Sequence, residues 1–154
     1  MLNWLFKKRP DQVEVPPSFQ FEDSLTLDWN EDCEGWTTAL EALGHAAHVY
    51  IGPRAGVENP QAESCALVVQ ARENIVGLND IALGYLVKES SAFVQNTYKH
   101  HLSLTSFNPM GIEIFEHEGT PGEYSLAYDP VFDEGAVWRV RFKQHLPTGW
   151  SFDD

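Results

Sequence analysis

The sequence predicts an α+β fold: antiparallel sheet formed by an N-terminal hairpin and a C-terminal meander, with a central helix pair packed on one face. Three observations predict it. Alternating apolar residues from Phe19 to Leu27 and from Trp36 to Ile51 give way to three-and-four spacing from Leu67 to Phe93, and alternation returns after Leu102. Turn chemistry in "NPMG", "HEGTPGE" and "DPVFDEG" separates the later alternating runs. The resulting order of strands, helices and strands favours helices gathered on one side of a sheet. With 154 residues, 43% of them hydrophobic, the chain is long enough for one core and short for two. A single domain is expected over 19–154.

Residues 1–18 read as a flexible arm, because Pro10, Pro16 and Pro17 preclude a continuous helix there. Phe19, Phe21, Leu25 and Leu27 then mark extended structure. A further strand is expected over Trp36–Leu40, a turn around Gly44, and a strand over His45–Ile51 that ends at Gly52 and Pro53. Asn59 as N-cap, Pro60 at the first helical position and Glu63 in the first turn place the start of a helix. Its apolar face is Leu67, Val68, Ala71 and Ile75, and Gly77 is the expected interruption. A second helix is expected from Asn79 or Asp80 to about Asn96, with Ile81, Ala82, Tyr85, Leu86, Ala92 and Phe93 on its buried side. Leu102–Phe107, Gly111–Phe115, Tyr124–Tyr128 and Ala136–Gln144 alternate as strands, and Trp150 and Phe152 add a short terminal piece.

The net charge of −13 is uneven. Between Arg9 and Arg54 there are nine acidic residues and no Lys or Arg. A field of one sign repels nucleic acid and anionic lipid and speeds encounter with basic proteins. Direct nucleic-acid binding is therefore disfavoured. Cys33 and Cys65 lack metal-type spacing and form no disulfide framework, which suits a reducing cytosol. "MLNWLFKKRP" places its apolar patch before its basic residues, the reverse of a secretory signal, and no run has the length of a membrane span. A cytoplasmic location and no integral membrane association are expected.

"DWNED" invites a calcium reading, with Asp28, Asn30 and Asp32 at ligand spacing. The sixth position requires Gly and holds Cys33, and the twelfth requires Glu and holds Ala39. The acids therefore need another explanation. His45 and His48, and the adjacent His100 and His101, lack helical metal-binding spacing, and the composite that remains is His100, His117 and a carboxylate. Surface histidines are the simpler account, and no metal or other cofactor is expected. No serine lies in a G-x-S-x-G elbow. Asp32 and Glu34 disfavour a Cys33 thiolate, and Cys65 reads as a small core residue. No phosphate-binding glycine motif is present, so the expectation is a protein that is not an enzyme.

Two surfaces remain. In the last long alternating run, Ala136, Trp138, Val140 and Phe142 share one face and Val137, Arg139, Arg141 and Lys143 the other. Arg139, Arg141 and Lys143 either grip an anionic ligand or pair with Glu113 or Glu123 on neighbouring strands. The hairpin residues Asp28, Trp29, Glu31, Asp32 and Glu34 form the preferred partner-binding site, since interfaces combine aromatic anchors with complementary charge. Trp36 is read as core, while Trp29 is open between core and anchor.

The Trp-bearing acidic hairpin, the paired helices, the meander "LTSFNPMGIEIFEHEGTPGEYSLAYDP" and the final "AVWRVRF" strand resemble a group of small bacterial domains found among candidate immunity proteins. The resemblance spans roughly residues 24–150 and carries no catalytic motif; where such domains often place a His in the final strand, this chain has Trp138. It implies a cytosolic acidic protein that neutralises a basic toxin, such as a nuclease, by direct contact. The alternatives are a small metal-dependent or other hydrolase using scattered His, Asp and Glu, and an accessory protein-interaction domain.

Overall fold

β1 (Ser18–Phe21), β2 (Leu25–Asn30), β3 (Gly35–Ala39) and β4 (His48–Gly52) are followed by helices α1 (Ala62–Glu73) and α2 (Ile75–Tyr98). The chain then continues through β5 (Phe107–Phe115), β6 (Glu123–Pro130), β7 (Val137–Lys143) and β8 (Leu146–Asp153). The computed structural model describes residues 17–44, 46–53, 58–117 and 121–153. All eight strands form one sheet in sequence order, and every neighbouring pair is antiparallel except β4 with β5. A parallel step needs a crossover, and α1 and α2 supply it. The fold is therefore α+β, with the N-terminal hairpin and C-terminal meander joined edge to edge.

Strand alternation sorts the residues into two faces. Leu25, Leu27, Trp29, Trp36, Val49, Ile51, Ile112, Ile114, Leu126, Trp138, Val140 and Phe142 are all buried in the core. At one end of the sheet Trp138 stacks on Trp150 at 5.1 Å and 4° and on Phe152 at 5.1 Å, and Phe93 of α2 packs on all three. The opposite face carries Asp28, Thr37, Tyr50, Glu113, Ser125 and Arg141 in one cross-strand row.

Several boundaries differ from the expectation, each for a physical reason. Ser18 already pairs with Asp28, and the Trp29 N–H donates to the Pro17 carbonyl. The rest of the expected arm lies outside the described residues. α1 begins at Ala62 rather than Pro60; the amide of its N-cap residue finds an acceptor far away in sequence, as the Gln61 N–H donates to the Glu116 carboxylate at 2.7 Å. The helices part at Asn74, with φ −122°, and Gly77 lies within α2. Asn tolerates a non-helical conformation at lower cost than its apolar neighbours. α2 buries Leu78, Ala82, Leu86, Ser90 and Val94, a ridge at steps of four, whereas Ile81 is 49% exposed and Ala92 is exposed. Polar Ser90 fits the ridge because its hydroxyl donates to the Leu86 carbonyl at 2.7 Å.

The strand starting after Ala47 is shorter than expected, and His45 lies outside the described residues. Leu104–Ser106 is a 3-10 turn capped by Ser103 and Ser106, so the strand expected from Leu102 starts at Phe107. "NPMG" is no turn. It runs within β5, where a bulge falls between Pro109 and Gly111, and Gly111 at φ +139° brings the chain against the His48 backbone. The expected short terminal piece is the full strand β8.

Candidate functional site

The β2–β3 hairpin is set by the Trp29–Trp36 pair. The two indoles face each other across the strands at 5.5 Å and 72°, and the Trp36 Nε1–H donates to the Glu58 carbonyl at 2.7 Å. Alternation therefore turns Asp28 and Asn30 outward. Asn30 closes the loop through Oδ1, which accepts from the Asp32 N–H at 2.9 Å, and Glu34 takes the left-handed conformation at φ +50°. Asp28, Glu31, Asp32, Cys33 and Glu34 are all exposed. Trp29 is a correction: it is 8% exposed and belongs to the core, because it shares a face with Leu25 and Leu27. Aromatic contact on the outer surface comes from elsewhere.

That residue is Tyr50, which the sequence reading did not single out. Its place between buried Val49 and Ile51 is the signal that assigns it to the outer face. The ring lies across Gly35 and Gly52: a Cβ at Gly35 would stand 2.2 Å from the ring, and one at Gly52 2.9 Å from its hydroxyl. The hydroxyl donates to the Cys33 carbonyl at 3.3 Å, tying the acidic loop to β4. Phe115 packs beside the ring at 5.5 Å. Burial, then the charges of Cys33, Glu113 and Glu34, push the Tyr50 pKa upward.

The basic face of β7 is largely neutralised by the chain itself. The Arg139 guanidinium donates to Glu113 at 2.5 Å and also to Asp153, and it stands 5.7 Å over the Phe115 ring. Burial alone would lower the Arg139 pKa, but the hydrogen bonds and charges of Glu113 and Asp153 outweigh it, and the net shift is upward. Lys143 pairs with Glu123 at 3.7 Å. Arg141 makes no ion pair with any described residue; it borders a cleft of about 170 Å³ shared with Glu113, Ser125 and Glu123. Of the three cations expected to act together, two are taken up by cross-strand carboxylates.

The composite His100–His117 site is not assembled. His100 stacks on Phe132, beyond the Pro130 end of β6 that pairs with Phe107, while His117 packs edge-on against Phe115 at the opposite end of β5. Among the described residues no three His, Cys, Asp or Glu side chains are grouped to hold a metal ion. Cys65 is buried within α1, and burial, followed by the Glu116 charge, pushes its thiol up to about 11. A concavity of about 600 Å³ beside the α1–α2 junction is lined by Arg72, Glu73, Val76 and Ile81 among others, with no Ser, Cys or His. Among the described residues no helix is long and apolar enough to cross a membrane.

Compared with known proteins, the chain matches no family model, and no curated protein or solved structure resembles it significantly.

Proposed function

We propose that this protein is a non-enzymatic acidic binding protein whose β2–β3 hairpin receives a basic protein partner. The observation that carries the reading is the contrast between the two ends of the outer sheet face. Asp28, Glu31, Asp32 and Glu34 are exposed together on a hairpin held by Trp29, Trp36 and Tyr50, with no Lys or Arg between Arg9 and Arg54 to offset them. On β7, by contrast, Arg139 and Lys143 are matched by Glu113, Asp153 and Glu123. Carboxylates that form no ion pair among the described residues, on a preorganised turn, suit a surface that otherwise receives phosphates. The specific form of the proposal is a bacterial cytosolic immunity protein that caps a basic toxin domain, such as a nuclease.

The test is capture of the partner from the native cell, followed by comparison of two variants against it. Reversal of Asp28, Glu31 and Asp32 to Lys should weaken binding severely, whereas Glu89→Lys on α2 should leave it near wild type. Equal binding by both variants would refute the acidic hairpin and leave the Arg141 side of the sheet as the contact.

A further inference from the structure

Tyr50 has an arrangement that the acidic hairpin alone does not require. An outward tyrosine on a sheet normally stands away from the backbone. Here Gly52, two residues along β4, and Gly35, diagonal to Tyr50 on β3, carry no Cβ to prop the ring up, so it lies across β3 and β4. Its inner face is occupied by backbone, while its residue remains partly exposed. Glu113 is its direct neighbour across the parallel pair, Asp28 is on the same row beyond Thr37, and Glu34 stands between Cys33, whose carbonyl accepts from the Tyr50 hydroxyl, and Gly35 beneath the ring.

The adjoining ring shows which chemistry this surface takes. Phe115 is already covered by the guanidinium of Arg139, which is held by the carboxylates of Glu113 and Asp153. Tyr50 next to it has Asp28 and Glu34 nearby, Glu113 being taken by Arg139, and no cation of the chain over its ring among the described residues. Arginine suits such a place better than lysine, because a planar guanidinium stacks on a ring while its N–H fork reaches carboxylates.

We infer that Tyr50 is the aromatic anchor of the partner-binding surface, and that its outer ring face receives an arginine side chain of the basic partner beside Asp28 and Glu34. The inference rests on the acidic-surface reading above and adds to it the chemistry of the contact. Trp29, buried in the core, has no part in that contact.

The probes are a hexa-arginine peptide and a hexa-lysine peptide, titrated separately into the full chain at low salt while the aromatic ring resonances are followed by NMR. The largest ring shift should fall on Tyr50 with the arginine peptide, and the lysine peptide should bind about two- to fivefold more weakly. Tyr50→Leu should lose a similar factor for the arginine peptide, whereas Tyr50→Phe should keep it. The wild-type ring shift decides the matter even where Tyr50→Leu does not fold. An arginine peptide that binds with the Tyr50 ring unmoved, or with the affinity of the lysine peptide, overturns the anchor and leaves the acidic hairpin standing. No binding of either peptide overturns both.

Discussion

Replacing Gly111 with Ala should be among the most damaging single-methyl changes in this fold. Gly111 sits in the β5 bulge at φ +139°, where a Cβ would stand 1.7 Å from the His48 carbonyl oxygen and 2.7 Å from its carbon. Both atoms are backbone, so no side-chain rotation relieves the clash. Ordinary contact begins near 3.4 Å, which requires β4 and β5 to separate by about 1.7 Å at that point. Holding an L residue at φ +139°, outside the left-handed α well, costs about 1–3 kcal/mol. Losing about two of the adjacent ladder hydrogen bonds costs about 1 kcal/mol each. The expected loss is therefore about 3–5 kcal/mol, a large part of the roughly 5–15 kcal/mol that holds a domain together. The position matters because β4–β5 is the seam between the first four strands and the last four. Urea unfolding followed by tryptophan fluorescence measures the loss directly. Gly84→Ala is the control of opposite sign: nothing lies within 4 Å of a Cβ there, and the helix should gain about 1 kcal/mol. A Gly111→Ala protein within about 1 kcal/mol of wild type would refute the reasoning.

Arg139→Met should cost about 1.5–3 kcal/mol, because it leaves the half-buried Glu113 carboxylate without its charged donor. Adding Glu113→Leu should recover most of that loss, and a double-mutant cycle in urea measures the coupling. Stability should also fall at alkaline pH. Cys65 and Tyr50, Tyr124 and Tyr128 all have folded-state pKa values raised by burial, so the unfolded chain gives up these protons first. The Cys65 contribution is complete below about 9 and is lost as pH rises towards 11, and the tyrosine contribution declines above about 10; denaturation midpoints across that range should decrease steadily. Iodoacetamide at neutral pH should label exposed Cys33 and spare Cys65 until the chain unfolds.

The parts of this structure that were legible in the sequence are those whose cause is local. β7 alternates without exception, so Trp138, Val140 and Phe142 were placed in the core and Arg139, Arg141 and Lys143 outside. Pairing of the outer set with Glu113 and Glu123 was one of two readings and is the one found for Arg139 and Lys143. What sequence could not supply depends on contacts between distant segments. The start of α1 is satisfied by Glu116, 55 residues on, so the Asn59 and Pro60 capping pattern was overridden. A serine on the buried ridge of α2 broke the apolar period and displaced its assigned face towards Ile81. The setting of Tyr50 is not legible in sequence because glycines make it: absence of side chains at Gly35 and Gly52 means something only once β3 and β4 are paired. The burial of Trp29 is hard to read locally because polarity on both sides of it in sequence is no guide to a strand, where adjacent residues face opposite ways.

The β2–β3 hairpin, whose carboxylates form no ion pair among the described residues, is proposed to meet a basic partner. The most direct test is the association rate of the captured partner as a function of ionic strength. The rate should fall steeply as salt rises through about 0.1 M, where the Debye length is about 10 Å. Reversing Asp28, Glu31 and Asp32 to Lys should flatten that dependence. A rate indifferent to salt, and equal for the wild type and the reversed chain, would contradict the proposal.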